Sequence, residues 1–218
     1  MKSVLRLRLL LAVVIFVYGC AHQEPGIRPA GELFQEATEL AEQGKTEKAA
    51  EKFMEVRTYY PGDDLARKSL LATADLYYEQ EDYASALQSY EEFRLLYPTD
   101  VESAYSLHRI AMSHFKQTGT PDRDQTETVR AIQTFESFLS SYPNSPYAEE
   151  ARTRLAEAKS TLAKHYVYIG KFYLKKKKYE AACNRFQYVR EHYPDAPLDD
   201  DLDELLSRSC GEKGRAGG

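Results

Sequence analysis

The sequence has no tryptophan, and its 11 glycines and 9 prolines are few for 218 residues. So sparse a supply of turn residues argues against a β protein made of many short strands. It has no strongly basic domain and a net charge of -5, so nucleic acid is not an expected partner. Motifs of catalysis are missing too: no HExxH, no glycine-rich phosphate loop, no nucleophile elbow and no CxxC. The five histidines, His22, His108, His114, His165 and His192, have no metal-ligand spacing. Neither an enzyme nor a metal site is therefore expected. What the chain does have is 43% apolar residues, 29% charged residues and 17 tyrosines. That composition fits helices with aromatic contacts and a soluble surface.

Long apolar runs are scarce as well. One stands near the start, where "MKSVLRLR" carries three positive charges and "LLLAVVIFVY" follows without a polar residue. A run of this length is too short to cross a bilayer, which takes about 20 residues, but it suits the centre of an export signal. It ends in Val17-Tyr18-Gly19-Cys20, which resembles the lipobox of bacterial lipoproteins. That resemblance implies cleavage after residue 19 and acylation of Cys20. Tyr18 is bulkier than is usual at its position, and an ordinary cleaved signal is the alternative. Ala21, rather than an aspartate, follows the cysteine, which implies the outer membrane and its periplasmic face. Losing the signal removes Lys2, Arg6 and Arg8 and leaves 26 basic against 34 acidic residues, a net of -8. The N-acyl and diacylglycerol chains on Cys20 are the only non-protein groups expected; no cofactor or metal is. Residues 20–30 read as a flexible tether.

From residue 31 helical periodicity takes over and repeats. Tyr-Pro occurs at Tyr60-Pro61, Tyr97-Pro98, Tyr142-Pro143 and Tyr193-Pro194, at intervals of 37, 45 and 51. Aligning on it gives Leu33, Ala37 and Leu40, then Ala49, Phe53 and Val56, in the first unit. The second has Leu70, Ala74 and Tyr77, then Ala86, Tyr90 and Phe93. The third has Leu107, Ala111 and His114, then Ala131, Phe135 and Phe138. The fourth has Tyr166, Gly170 and Tyr173, then Ala182, Phe186 and Val189. This is the tetratricopeptide pattern, an all-α solenoid of helix pairs over 31–206. Small residues let the two helices of a pair approach, the aromatic fills the gap, and Tyr-Pro stops the second helix. Thr99 to Glu102 reads as a capping box for the next helix. "KQTGTPDRDQTE" lengthens the turn of unit three. Ser145, Pro146 and Glu149-Glu150 start a helix that runs on into unit four, as one long helix or two nearly collinear ones. Leu202, Leu205 and Leu206 suggest a short capping helix started by Asp199–Asp201, with residues 207–218 a disordered tail. Cys183 falls on an apolar helix face and Cys210 in that tail. They could pair, but a buried free thiol and a separate tail thiol is the favoured reading.

The lipobox, the tether, the repeats, "DRD", "YPNSPY" and "LAKHYVYIGKFYLKKKKYEAACNRFQYVREHYPD" together resemble the BamD family. The resemblance spans about residues 17–196 and is most specific over 122–195. It implies a lipoprotein that binds the barrel component BamA and other Bam-complex subunits and receives unfolded outer-membrane protein precursors. Asn184 and Arg185 match the family's Asn-Arg pair in its BamA-facing part; a solvated arginine is the alternative. The complete fifth repeat frequent in that family is reduced here to a stub. Another envelope tetratricopeptide protein, a Tol-linked cell-division coordinator or a secretin pilot lipoprotein, is the alternative assignment.

In such solenoids the first helix of each pair lines the concave face. Phe34, Thr38, Asp75, Tyr78, His108, Met112 and Phe115 are therefore the candidate precursor groove, with packing between repeats as the alternative for each. Lys175–Lys178 reads as a helix end that cations complement, or else as a contact for anionic headgroups. Asp122-Arg123-Asp124 is either a partner-contacting loop or an internally paired turn.

Overall fold

The structure, a computed structural model, describes residues 28–213. The signal, Cys20 and most of the tether lie outside the described residues, as does the end of the chain from 214. Among the described residues there are nine helices and no strand: α1 (Ala30–Glu42), α2 (Thr46–Tyr59), α3 (Asp64–Glu79), α4 (Tyr83–Leu96), α5 (Ser103–Lys116), α6 (Thr126–Ser141), α7 (Ala148–Lys175), α8 (Tyr179–His192) and α9 (Leu202–Lys213). Each helix packs on the next, and α1 touches α3 as α5 touches α7. The first helices of the pairs thus form one layer, as a tetratricopeptide solenoid requires. The described residues include no helix long and apolar enough to cross a membrane.

Tyr-Pro punctuates the fold in one repeated geometry. Tyr60, Tyr97, Tyr142 and Tyr193 each follow the last residue of a second helix, with φ between -135° and -129° and ψ between 51° and 58°. Each donates its N–H to the carbonyl four residues back, at 2.8–2.9 Å. Each then accepts, at 3.0–3.2 Å, from the N–H three residues on, across a turn with proline at its second position. The proline has no N–H to offer the helix, so the chain leaves the helix at the same place four times. A second recurrence lies inside the pairs. Gly44, Glu81 and Lys177, each seven residues beyond the small residue of its first helix, all have φ between 54° and 70°. One left-handed residue is enough to reverse the chain there, and only the first unit uses glycine for it.

The small-aromatic matches close as expected. Ala37, Ala49 and Phe53 share one buried cluster, and Ala74, Tyr90, Ala111 and Phe135 share another. A Cβ on Gly170 would meet the Phe186 ring at 2.4 Å. Helix α7 is a single helix of 28 residues. Its first half covers unit three through Ala151, Leu155 and Ala158, and its second half serves as the first helix of unit four.

Some local expectations are corrected. No capping box forms at α5: Ser103 is its first residue, and the Asp100 carboxylate accepts from Glu102 N–H at 2.8 Å instead. Ser145 accepts from Tyr147 N–H at 3.3 Å, but the helix starts at Ala148. Residues 207–213 are helical, because α9 continues to Lys213 with Leu205, Leu206 and Ser209 buried. That continuation puts Cys210 one turn beyond Leu206, on the face that packs against α8. There it forms a disulfide with Cys183, with Cα atoms 5.1 Å apart. The separate thiols favoured from sequence are therefore replaced by a covalent tie. Asp201 caps α9 as expected, accepting from Asp203 and Glu204 N–H.

Candidate partner-binding surfaces

Asp75 sits on α3 immediately after Ala74, where the first helices face inward. Its Oδ1 accepts from the hydroxyls of Tyr90 on α4 and, at 2.6 Å, Tyr105 on α5. Arg109 donates to the Tyr105 hydroxyl at 2.8 Å and to Glu79 at 3.3 Å. Its guanidinium also lies 4.1 Å from the centroid of the Tyr78 ring. Burial, then the bond to Asp75, pushes the Tyr105 hydroxyl up to about 12. Tyr90 is pushed up further, again chiefly by burial. Both hydroxyls therefore stay protonated and remain donors to the carboxylate. This network locks units two and three together. Tyr105 and Arg109 were missed from sequence because their role depends on a neighbouring repeat.

The other groove candidates divide by burial. Tyr78, His108 and Met112 are buried in this chain, which corrects the expectation that they line an open groove. Tyr78 and Met112 belong to the buried cluster shared by units two and three, and His108 packs on Phe138 and Tyr147. Phe34, Thr38, Asp75 and Phe115 keep partial exposure. Phe34 meets Phe53 edge-on at 5.4 Å, and Thr38 donates to the Phe34 carbonyl at 2.9 Å. Phe115 meets Phe135 at 6.2 Å and carries the Arg154 guanidinium 5.6 Å above its ring. His108 stacks on Tyr147 at 4.9 Å and lies 5.5 Å from Phe138. Neither of its ring nitrogens has a hydrogen-bond partner among the described residues, although Glu150 Oε2 is 3.5 Å from Nε2. Burial pulls its pKa down, with Glu150 opposing.

At the far end, Asn184 and Arg185 are exposed on α8. The Arg185 guanidinium is 6.0 Å from the Tyr166 ring centroid and makes no ion pair among the described residues. Around it, Tyr188 lies 4.6 Å from Tyr166 and stacks on His192 at 4.0 Å. Burial, then Tyr188, pushes Tyr193 up to about 12. An arginine beside an aromatic cluster, with its hydrogen-bonding fork free of carboxylates, is equipped to clamp a partner's carboxylate. The loop of unit three is internally paired: Thr120 donates to Asp122 at 2.6 Å, and Asp124 accepts from Thr126 N–H at 3.0 Å. Sequence reasoning also passed over Tyr168 and Phe172, which are exposed on α7. Their spacing of four, off the stripe of Tyr166, Gly170 and Tyr173, was the available signal.

Residues 28–207 match the family model described as YfiO, outer membrane lipoprotein. The chain is 29% identical over 196 residues to "Outer membrane protein assembly factor BamD" of Rickettsia prowazekii, covering 88% of this chain and 78% of that one. It is 30% identical over 187 residues to the protein of the same name from Caulobacter vibrioides, covering 83% and 61%. The one from Vibrio cholerae is 29% identical over 197 residues, covering 85% and 82%. Among solved structures, a tetratricopeptide repeat protein from Parabacteroides merdae is similar with a TM-score of 0.44 and 18% identity, covering 85% of this chain and 72% of that one. With its family model matched from the first described residue through the first half of α9, this chain belongs to the YfiO family of outer-membrane lipoproteins.

Proposed function

We propose that the chain is a scaffold subunit of outer-membrane protein assembly rather than a catalyst. It binds a BamA-like barrel component through its C-terminal units and receives unfolded outer-membrane protein precursors along its inner layer. The observation that carries this reading is the alignment of proteins named assembly factor BamD over 85–88% of this chain, beside a family model matched over residues 28–207. Those matches do not favour the Tol-linked or secretin-pilot alternatives. Acylated Cys20 would hold the chain to the periplasmic face of the outer membrane, since several buried acyl chains, at about 0.8 kcal/mol per methylene, anchor a protein stably. Arg185, with Asn184 beside it, supplies the BamA contact. Phe34, Thr38, Asp75 and Phe115 are the groove residues still open to a precursor.

Purification of the tagged chain from outer membranes in mild detergent tests both levels of this reading. A stoichiometric BamA-like partner that is lost on Arg185→Glu is the expected result. Retention of that partner by the variant would remove Arg185 from the interface and leave the assembly role standing. A Tol-system or secretin partner without BamA would overturn the role itself.

A further inference from the structure

Helix α7 carries Lys171 and Leu174 at the register positions that Asp75 and Tyr78 hold on α3. Unit four should therefore repeat the inward face of unit two, but its neighbouring aromatics are not covered. Tyr168 and Phe172, one turn apart, are each 53% exposed. With Leu174 and with Leu205 of α9 they floor an open groove of about 700 Å³. A second cavity of about 180 Å³ shares Tyr168 and Lys171 and extends the groove to Leu198 and Pro121. The result is a strip rather than an isolated pit.

Charge is distributed unevenly along it. Lys175 lines the groove and has no ion pair among the described residues. Lys176 Nζ is 5.9 Å from the Phe172 centroid, and Arg208 has only an exposed contact with Glu204 at 3.4 Å. The acids at the other end are already engaged, Asp199 by Lys164 at 3.1 Å and Asp200 by Lys171 at 2.6 Å. An aromatic floor with unneutralised cations beside it, on a chain of net negative charge, calls for an apolar ligand that carries carboxylates. A flat anionic bilayer would match the charge but not the recess, nor the acids along its edge.

We infer that this groove binds a segment of a partner polypeptide that lays an aromatic or large apolar side chain on Tyr168 and Phe172 and sets a carboxylate beside Lys175. Arg185 does not line it, so failure of the BamA contact proposed above leaves this inference intact.

The test is fluorescence anisotropy of a labelled peptide alternating phenylalanine and glutamate, titrated with the full mature chain in neutral-lipid nanodiscs. The control peptide replaces each glutamate with lysine. The acidic peptide is expected to bind and the lysine peptide not to. Lys175→Glu and Phe172→Ser should each weaken binding about tenfold or more, while Lys178→Glu leaves it within about twofold. All three side chains are exposed, so unchanged melting temperatures would show that folding is not the cause. Equal binding of both peptides, no binding, or binding indifferent to the two groove substitutions would overturn the inference. So would displacement of the peptide by phosphatidylglycerol vesicles through Lys175, which would assign the patch to a lipid surface.

Discussion

A Cβ at position 170 would sit 2.4 Å from Cε1 of Phe186 and within 3 Å of two more ring atoms. The ring is fully buried and cannot swing away. Gly170→Ala should therefore cost about 1–3 kcal/mol by overpacking, measured by urea denaturation. Adding Phe186→Leu should recover part of that loss, since the two sites share one space. His108 makes a different demand. Burial favours its neutral form, so its folded-state pKa lies below the unfolded value of about 6.5. The unfolded chain then takes up the proton first, so stability is full above that pH and declines as pH falls through the window beneath it. Glu150 and Arg109 act on the same ring with opposite signs. His108→Phe should flatten the decline in urea midpoint between about pH 7 and pH 5; an unchanged slope would assign it to other groups.

At the scale of the element, α9 is the short helix that ends the solenoid, and two things hold it. Leu205 and Leu206 join the cluster of Val167, Phe186 and Val189, and the Cys183–Cys210 disulfide closes 27 residues between α8 and α9. Closing a loop of that size removes about 3.5 kcal/mol of unfolded-chain entropy. Replacing both cysteines with serine should cost about that much or somewhat less, and amide exchange should quicken first in α9. Equal exchange rates with and without the bond would mean that the leucines alone seat the helix. The tie has a functional side as well, because α9 contributes Leu205 and Arg208 to the groove along α7.

Across the whole molecule, stability is a chain of nearest-neighbour contacts, so a junction counts for more than any single repeat. Asp75 is such a junction: it sits on α3 and accepts from tyrosines on α4 and α5. Asp75→Ala would leave a fully buried Tyr90 hydroxyl without its acceptor, at a cost of about 1–3 kcal/mol. The expected outcome goes beyond a lower midpoint. Units one and two should unfold ahead of the rest, so that circular dichroism and exchange at α6–α8 no longer give coincident transitions. Coincident curves would show that the apolar contacts of Leu107, Ile110 and Phe138 suffice to couple the units.

Sequence alone determined the repeat itself. The spacing of small, aromatic and Tyr-Pro positions is imposed by the helical period and by proline's missing N–H, both local properties. It left open whether α7 would be one helix or two nearly collinear ones, since Gly170 is the one weak point between 148 and 175; the structure makes it one. The candidate surfaces were less legible. Tyr78, His108 and Met112 occupy groove positions by register, yet they are buried, because residues of neighbouring elements, such as Phe138 and Tyr147 over His108, cover them. The same holds for Cys210, whose pairing depends on where α9 docks, and for the ties from Asp75 to Tyr105 and Arg109, which join residues 30 or more apart in the chain. Periodicity says which way a side chain points from its own helix. Only the tertiary structure decides what stands opposite it, because that is set by contacts between distant segments.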